Sequence, residues 1–367
     1  MTALADRITE CPEVYDAARG ADVYQAVCKA FAENPALAKA AEVAATPDAA
    51  ALLQAVFSGS GYLAALAQRS PDLLADCLTR DPDTHLDEAR EALAEEVAQA
   101  PGTKEAMVRL RRFKQRSALL MGLADLGGVW PTEKVLTGLS EAADATLQAA
   151  VGFLFRKARE AGQVTSAQDA PGAEEAPGYF VIAMGKLGAM ELNYSSDIDF
   201  MVFYDADQAE LAEGVEPSSF FVKLTRELVR LVQEQTGDGY AYRTDLRLRP
   251  DPGATQIALS TDAGLTYYES FGQNWERAAL IKARIAAGDA ALGAAFLDQL
   301  APFIWRKYLD FAAVADIHAM KRRVHAFKGH GAIAVGGHDI KLGRGGIRDI
   351  EFFAQTQQLI AGGRHPE

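Results

Sequence analysis

The sequence predicts an α+β protein, a small mixed sheet flanked by helical segments, and three observations predict it. Residues 1–160 are dominated by alanine and leucine at helical spacing, as in LAKAAEVAATPDAAALLQAVF and LDEAREALAEEVAQA. Two short runs, YFVIAM (179–184) and IDFMVFY (198–204), are apolar, β-branched and aromatic and read as buried strands. From residue 261 the helical pattern returns and continues to the end.

Taken in order, the helical region 1–160 is broken at Asn34-Pro35, Pro71 and Pro101-Gly102, where turn-forming residues interrupt the pattern. Its stretch RLRRFKQRSALLMGLADLGG is basic and amphipathic and reads as a solvated helix face. Residues 161–178, AGQVTSAQDAPGAEEAPG, have the composition of a flexible connector. Residues 179–300 form the domain that carries the sheet: the two strands, a helix near 217–235, an alternating strand in AYRTDLRLRP (241–250), and a further strand in TQIALS (255–260). Residues 301–367 are a helical segment that reads as a truncated bundle. Its last stretch, KLGRGGIRDIEFFAQTQQLIAGGRHPE, opens a helix at a glycine turn and sets Ile347, Ile350, Phe353 and Leu359 on an apolar face that needs partners. The polypeptide therefore reads as a piece of something longer.

Composition narrows the function classes. A chain of 367 residues with half its residues apolar supports two or three domains with real cores. No apolar run approaches the ~20 residues of a membrane span. The N-terminus lacks a basic segment followed by an apolar one, so no signal peptide is predicted. Cys11, Cys28 and Cys77 are few and scattered, which suits a reducing cytoplasm. The net charge is −13, with −10 of it in residues 1–100 (17 acidic, 7 basic) and a balance of +3 from residue 241 onward (16 basic, 13 acidic). An acidic N-terminal third makes nucleic acid a poor partner, whereas a small anion held by arginines in the second half fits.

The chemistry concentrates in VIAMGKLGAMELNYSSDIDFMVFYD (181–205). Asp197 and Asp199 stand two residues apart at the head of a strand, so both carboxylates face one side, about 6–7 Å apart along it. Burying two unpaired carboxylates is costly unless a cation sits between them, and Mg²⁺ accepts such oxygens while keeping room for phosphate. Gly185 and Gly188 let the backbone come close to a phosphate, Lys186 adds positive charge, and Ser195 and Ser196 supply hydrogen-bond donors. Asp245, amid apolar and basic residues, is the candidate third acid of a two-metal site. Arg247, on its face in a regular strand, pairs with it or holds a phosphate. Two Mg²⁺ ions are expected, and Mn²⁺ suits the same oxygens. Lys282 and Arg284 are candidates for phosphate or nucleotide contacts, and Glu276 and Arg277 for an internal ion pair on a helix. Arg344 and Arg348 flank a glycine turn at a helix start, a favourable place for an anion. His318, His325, His330 and His338 lack metal-ligand spacing. No Ser-His-Asp or Cys-His arrangement is needed.

Four stretches, MGKLGAMELNYSSDIDF, RTDLRLRPDP, NWERAALIKARIAAGD and KLGRGGIRDIEFFAQTQQLIAGGR, closely resemble the glutamine synthetase adenylyltransferase/adenylyl-removing enzymes, within the polymerase-β-type nucleotidyltransferase superfamily. The resemblance covers most of the chain. Such proteins carry two nucleotidyltransferase domains. One attaches AMP to a tyrosine of glutamine synthetase, and the other removes it by phosphorolysis, releasing ADP. This chain carries the motif set once, after a helical lead similar to the start of those proteins, and so matches the N-terminal, adenylyl-removing half. The resemblance implies a polymerase-β-like catalytic domain and a cytoplasmic setting. It also implies adenylylated glutamine synthetase, the PII signal protein, ATP or ADP and phosphate as partners. Many nucleotidyltransferases place Gly-Ser where this chain has Gly185-Lys186, which leaves open what replaces the serine on the phosphate. Two alternatives stand beside the removing activity: the forward transfer of AMP from ATP, and a regulatory module that binds glutamine synthetase or PII without catalysis. A transferase acting on RNA ends or a small alcohol is disfavoured by the acidic balance and the long helical flank.

Overall fold

The computed structural model describes residues 2–165, 176–306 and 336–364. The chain sorts into two compact units that interleave along the sequence. The first gathers residues 1–169, 190–198 and 226–244; the second gathers 170–189, 199–225 and 245–367. Segments 190–198 and 226–244 thus cluster with the helical lead, a division that chain order does not reveal.

The first unit is helical: α1 (Ala17–Glu33), α2 (Ala38–Ala44), α3 (Pro47–Gly59), α4 (Gly61–Arg69), α5 (Pro71–Thr79), α6 (Pro82–Ala98), α7 (Thr103–Leu126) and α8 (Thr132–Glu160). Local sequence sets the starts. Asp16, Ser60 and Asp81 cap α1, α4 and α6 through their side chains, and prolines occupy the first position of α3, α5 and α6, where a missing N–H costs nothing. Among the described residues no single helix is long and apolar enough to cross a membrane.

The basic stretch of α7 is not the solvated face that its charge suggests. Arg111 is fully buried and Lys114 is 9% exposed. The Arg111 guanidinium donates to the carbonyls of Met107 (3.0 Å), Leu231 (3.0 Å), Gly239 (2.8 Å) and Glu234. Leu231 lies in the last turn of a helix, α10 (Pro217–Gln233), whose final carbonyls have no partner within the helix. A five-donor fork is suited to collecting such orphans, and this explains why an arginine is buried there.

The second unit holds the sheet: β1 (Tyr179–Ala183), β2 (Ile198–Tyr204, beginning one residue before the unit does), β3 (Thr244–Asp245), β4 (Leu259–Ser260) and β5 (Arg284–Gly288), in the order β3-β2-β1-β5 with β4 beside β2. β1 pairs antiparallel with β2, Tyr179 opposite Tyr204, and antiparallel with β5 across a bulge at Val181/Ile182. β4 runs parallel to β2, so the sheet is mixed. Every β1 residue is buried, which explains the continuous apolar run. On one face Phe180 and Phe203 pack with Phe296, Phe203 and Phe296 having ring centroids 4.6 Å apart. On the other, Tyr179 and Tyr204 stack on Phe221. The short α9 (Gly185–Gly188) follows β1, and α11 (Thr261–Ser270), α12 (Asn274–Leu280), α13 (Ala290–Ile304) and α14 (Ile347–Gly362) complete the described helices.

Three expectations about these elements need correction. The strand foreseen over 241–250 shrinks to Thr244–Asp245, because Arg249 folds the following residues into a loop by donating to the carbonyls of Leu246, Pro252 and Gln256. The strand foreseen over 255–260 shrinks to Leu259–Ser260. On α14, Phe352, Thr356 and Leu359 form the buried side, Phe352 and Leu359 packing with Ala278, Ile281 and Trp305. Ile347, Ile350 and Phe353 are exposed.

Candidate functional site

β1 ends at Ala183 and the chain turns at once through α9. Gly185 has φ +55°, in the left-handed region that side chains disfavour. A Cβ built on it would lie 2.6 Å from Oδ2 of Asp199. A Cβ on Gly188 would lie 2.0 Å from the carbonyl oxygen of Lys282 and 2.8 Å from that of Ala183. Gly188 is therefore required by close approach of backbone, whereas Gly185 is favoured by its left-handed φ and lies against a carboxylate. The Gly188 amide donates to the Met184 carbonyl at 2.9 Å, so its N–H serves the turn.

Asp199 is the second residue of β2, half-buried, and its own carbonyl accepts from the Met184 amide at 2.9 Å. The β1–β2 ladder thus fixes the backbone of Asp199 and the Gly185 turn at adjoining rungs. Asp197, just before β2, is exposed, so the premise of two buried carboxylates fails for it and holds only in part for the half-buried Asp199. Its segment is held by neighbours. Ser196 donates to Asn193 Oδ1 at 2.6 Å, Arg243 donates to the Ser195 carbonyl at 2.6 Å, and the Tyr194 hydroxyl donates to Asp125 at 2.9 Å. Asn193 and Arg243 were not singled out from the sequence. An Asn two residues before a Ser-Ser pair is a turn signal that points to the first, and nothing local points to the second.

Asp245 faces Arg247, through the loop rather than along a regular strand. It accepts from the Arg247 amide (2.8 Å) and from Nε (3.0 and 2.9 Å) and Nη2 of the guanidinium. The Asp245 side chain is 11% exposed and that of Arg247 is 84% exposed. The Arg247 hydrogen bond holds the Asp245 carboxyl below the usual carboxylate range. Lys282 lies 3.6 Å from Glu351 of α14, and Arg284 donates to the Leu187 carbonyl at 2.9 Å, bracing α9. Lys186 is half-buried.

Other sequence candidates find structural partners. Glu276 and Arg277 do not pair with each other. Glu276 accepts from the Gln273 amide (2.6 Å) and the Tyr267 hydroxyl (3.1 Å) in a capping box, and burial pushes its carboxyl up. Arg277 donates to the carbonyl of Phe303 and lies 4.0 Å over its ring. At the start of α14 the Gly345 amide donates to Asp349 at 2.9 Å, so the turn between Arg344 and Arg348 already holds a carboxylate. Arg348 also lies 3.8 Å from Glu351. His338 Nε2 lies 3.2 Å from the Arg344 carbonyl; His318, His325 and His330 lie outside the described residues.

Among the described residues no three carboxylate, histidine or cysteine side chains gather closely enough to hold a metal ion as they stand. The oxygens of Asp197, Asp199 and Asp245 suit a hard cation in kind. Asp245, turned to Arg247, must be released before it can serve one.

Comparison with known proteins assigns the family. The glutamate-ammonia ligase adenylyltransferase family model matches residues 50–299, and the GlnD PII-uridylyltransferase model matches residues 315–367. Curated relatives named bifunctional glutamine synthetase adenylyltransferase/adenylyl-removing enzyme include that of Rhodopseudomonas palustris (strain ATCC BAA-98 / CGA009), 48% identical over 100% of this chain and 37% of that protein. The protein of Caulobacter vibrioides is 50% identical over 100% of this chain and 36% of its own length. That of Bradyrhizobium sp. (strain ORS 278) is 52% identical over 87% of this chain and 32% of its own length. The chain thus spans about a third of the length of these relatives. With its mixed sheet, glycine turn and strand-borne aspartate, the chain belongs to the glutamate-ammonia ligase adenylyltransferase family, whose fold is that of the polymerase-β-like nucleotidyltransferases.

Proposed function

We propose that the chain removes AMP from a tyrosine of glutamine synthetase by phosphorolysis, releasing ADP. The observation that carries the reading is the approach of the Asp199 carboxylate to the Gly185 turn, which has φ +55° and where a Cβ would lie 2.6 Å from Oδ2. The relatives bear both the transferase and the removing activity in their names, and this chain has the motif set once, after the helical lead.

In this reading an oxygen of inorganic phosphate bonds to the AMP phosphorus as the bond to the tyrosyl oxygen breaks. The phenol has a pKa near 10, so the phenolate leaves without a dedicated acid and takes its proton from water. Asp197, Asp199 and Asp245 would hold Mg²⁺ or Mn²⁺, which when bound supplies neutralisation of the phosphodiester and of the departing phenolate. Lys186, Ser195 and Ser196 bind and orient the anionic oxygens. Release of Asp245 frees the Arg247 guanidinium, already largely exposed, to take a phosphate oxygen. Lys282 and Arg284 act through position, one beside Glu351 and the other bracing α9. Adenylylated glutamine synthetase and phosphate are the proposed substrates. PII protein is a proposed regulator, in keeping with the match over residues 315–367.

The test mixes the protein with AMP-modified glutamine synthetase, Mg²⁺ and phosphate and follows ADP. ADP that requires phosphate and disappears with Asp199→Asn supports the removing activity. AMP transfer from ATP to unmodified glutamine synthetase, with no ADP from the modified form, reverses the direction. Silence in both assays with glutamine synthetase still bound indicates a binding module.

A further inference from the structure

The helical unit carries a partly open cavity of about 700 Å³ between α4, α7 and the segments 194–196 and 235–242. Leu63, Leu66, Ala118 and Leu126 form its apolar walls, and Tyr62 and Tyr242 add aromatic surface. A space of this size and character is typical of small-molecule sites. One side chain in the wall does not belong in an apolar lining. Lys114 is nine-tenths buried, and its ammonium lies 4.4 Å over the Tyr242 ring. Among the described residues no carboxylate lies within ion-pair distance of it. Its ammonium therefore opens onto the cavity with only a ring face beside it, so the cavity is where a counter-charge can meet it. Burial lowers its pKa to about 8, so it still carries its charge near neutral pH.

We infer that this cavity is a binding site for a small organic monocarboxylate with an aromatic or branched apolar body, its carboxylate set against Lys114. One buried cation matches one negative charge. A phosphate ester is the poorer match, because Asp125 and Asp238 also line the cavity and the other cation there, Arg69, is exposed. The body of the ligand meets the leucine and tyrosine walls. Its wall includes Ser195 and Ser196, the residues that precede Asp197. A bound ligand therefore orders the segment that presents Asp197.

The test is calorimetric and independent of any catalytic activity. The intact chain is titrated with 4-phenylbutyrate, with the neutral 4-phenylbutan-1-ol, and with phenyl phosphate. The acid is expected to bind about tenfold or more tightly than the alcohol, the scale of one charge-assisted contact, and more tightly than phenyl phosphate. Lys114→Met is expected to bind acid and alcohol alike, and Tyr240→Ala, at an exposed wall position, to weaken both. Equal binding of acid and alcohol by the unaltered protein, tighter binding of phenyl phosphate, a preference that survives Lys114→Met, or no binding overturns the proposal. The acid–alcohol comparison on the unaltered protein decides the matter even if the variant does not fold.

Discussion

Two carboxylates of the sheet unit, Asp199 and Asp245, sit in different surroundings. Asp199 rises from a central strand against a glycine turn, where a Cβ on Gly185 would lie 2.6 Å from its carboxylate. Asp245 sits at the sheet margin and is held by charge, through a guanidinium that is largely in water. A solvent-exposed ion pair, worth about 0–1 kcal/mol, exchanges partners readily. In the proposed site Asp245 would be the carboxylate that changes partner, while Asp199 stays beside the Gly185 turn.

The comparison is broken most severely at the glycines. Gly188→Ala drives a methyl into the Lys282 and Ala183 carbonyls, both backbone, and neither can yield as a side chain would. A loss of several kcal/mol in denaturant unfolding is expected, with no folded protein at 37 °C as the extreme outcome. Gly185→Ala meets the Asp199 carboxylate and adds the strain of φ +55°. Its expected stability loss is smaller, about 1–2 kcal/mol, and its effect on ADP release large. A Gly188→Ala protein as stable as the parent would show that the strand entry is loose.

Next comes the chemistry. Asp199→Asn keeps the shape and removes the charge. It is expected to lower ADP release about 100-fold or more while leaving the melting temperature within a few degrees. Arg247→Ala tests the switchable partner. The folded-state pKa of Asp245 is depressed by Arg247, so the pair stabilises the fold above the ordinary carboxylate pKa and that contribution fades as pH falls through the lowered value. Because Arg247 is exposed, the change at pH 7 should stay below about 0.5 kcal/mol. Mg²⁺ affinity, measured by titration calorimetry, should rise as Asp245 is freed. Tighter Mg²⁺ binding with unchanged stability sharpens the distinction, and weaker binding means the arginine helps to assemble the site.

Much of this was legible in the sequence, and particular residues show why some was not. IDFMVFY is a strand from its first residue to its last, because an apolar β-branched run between polar turns has few other uses. Gly185 and Gly188 stood out as glycines that let the backbone approach a phosphate, whereas in the structure one lies against a carboxylate and the other against backbone carbonyls. AYRTDLRLRP alternates like a strand, yet Arg249 reaches carbonyls up to seven residues away and closes a loop. Periodicity cannot register a side chain that bonds its own backbone. Arg111 and Lys114 looked solvated because their buried surroundings come from residues more than a hundred positions later.

Arg111 of α7 binds the Gly239 carbonyl across 128 residues of sequence, and the wall of the helical cavity is completed only by Tyr240, Ala241 and Tyr242. During synthesis α7 is finished long before those residues leave the ribosome. The early helices must wait, with a bare guanidinium and an open hydrophobic cleft, while about a hundred residues of connector and sheet are made. Long-range closure of this sort is slow and leaves sticky surface exposed in the interval. The interval before residues 231–242 emerge is thus the stage at which the helical lead is most open to misassembly, and a chain cut off after residue 169 lacks those closing residues.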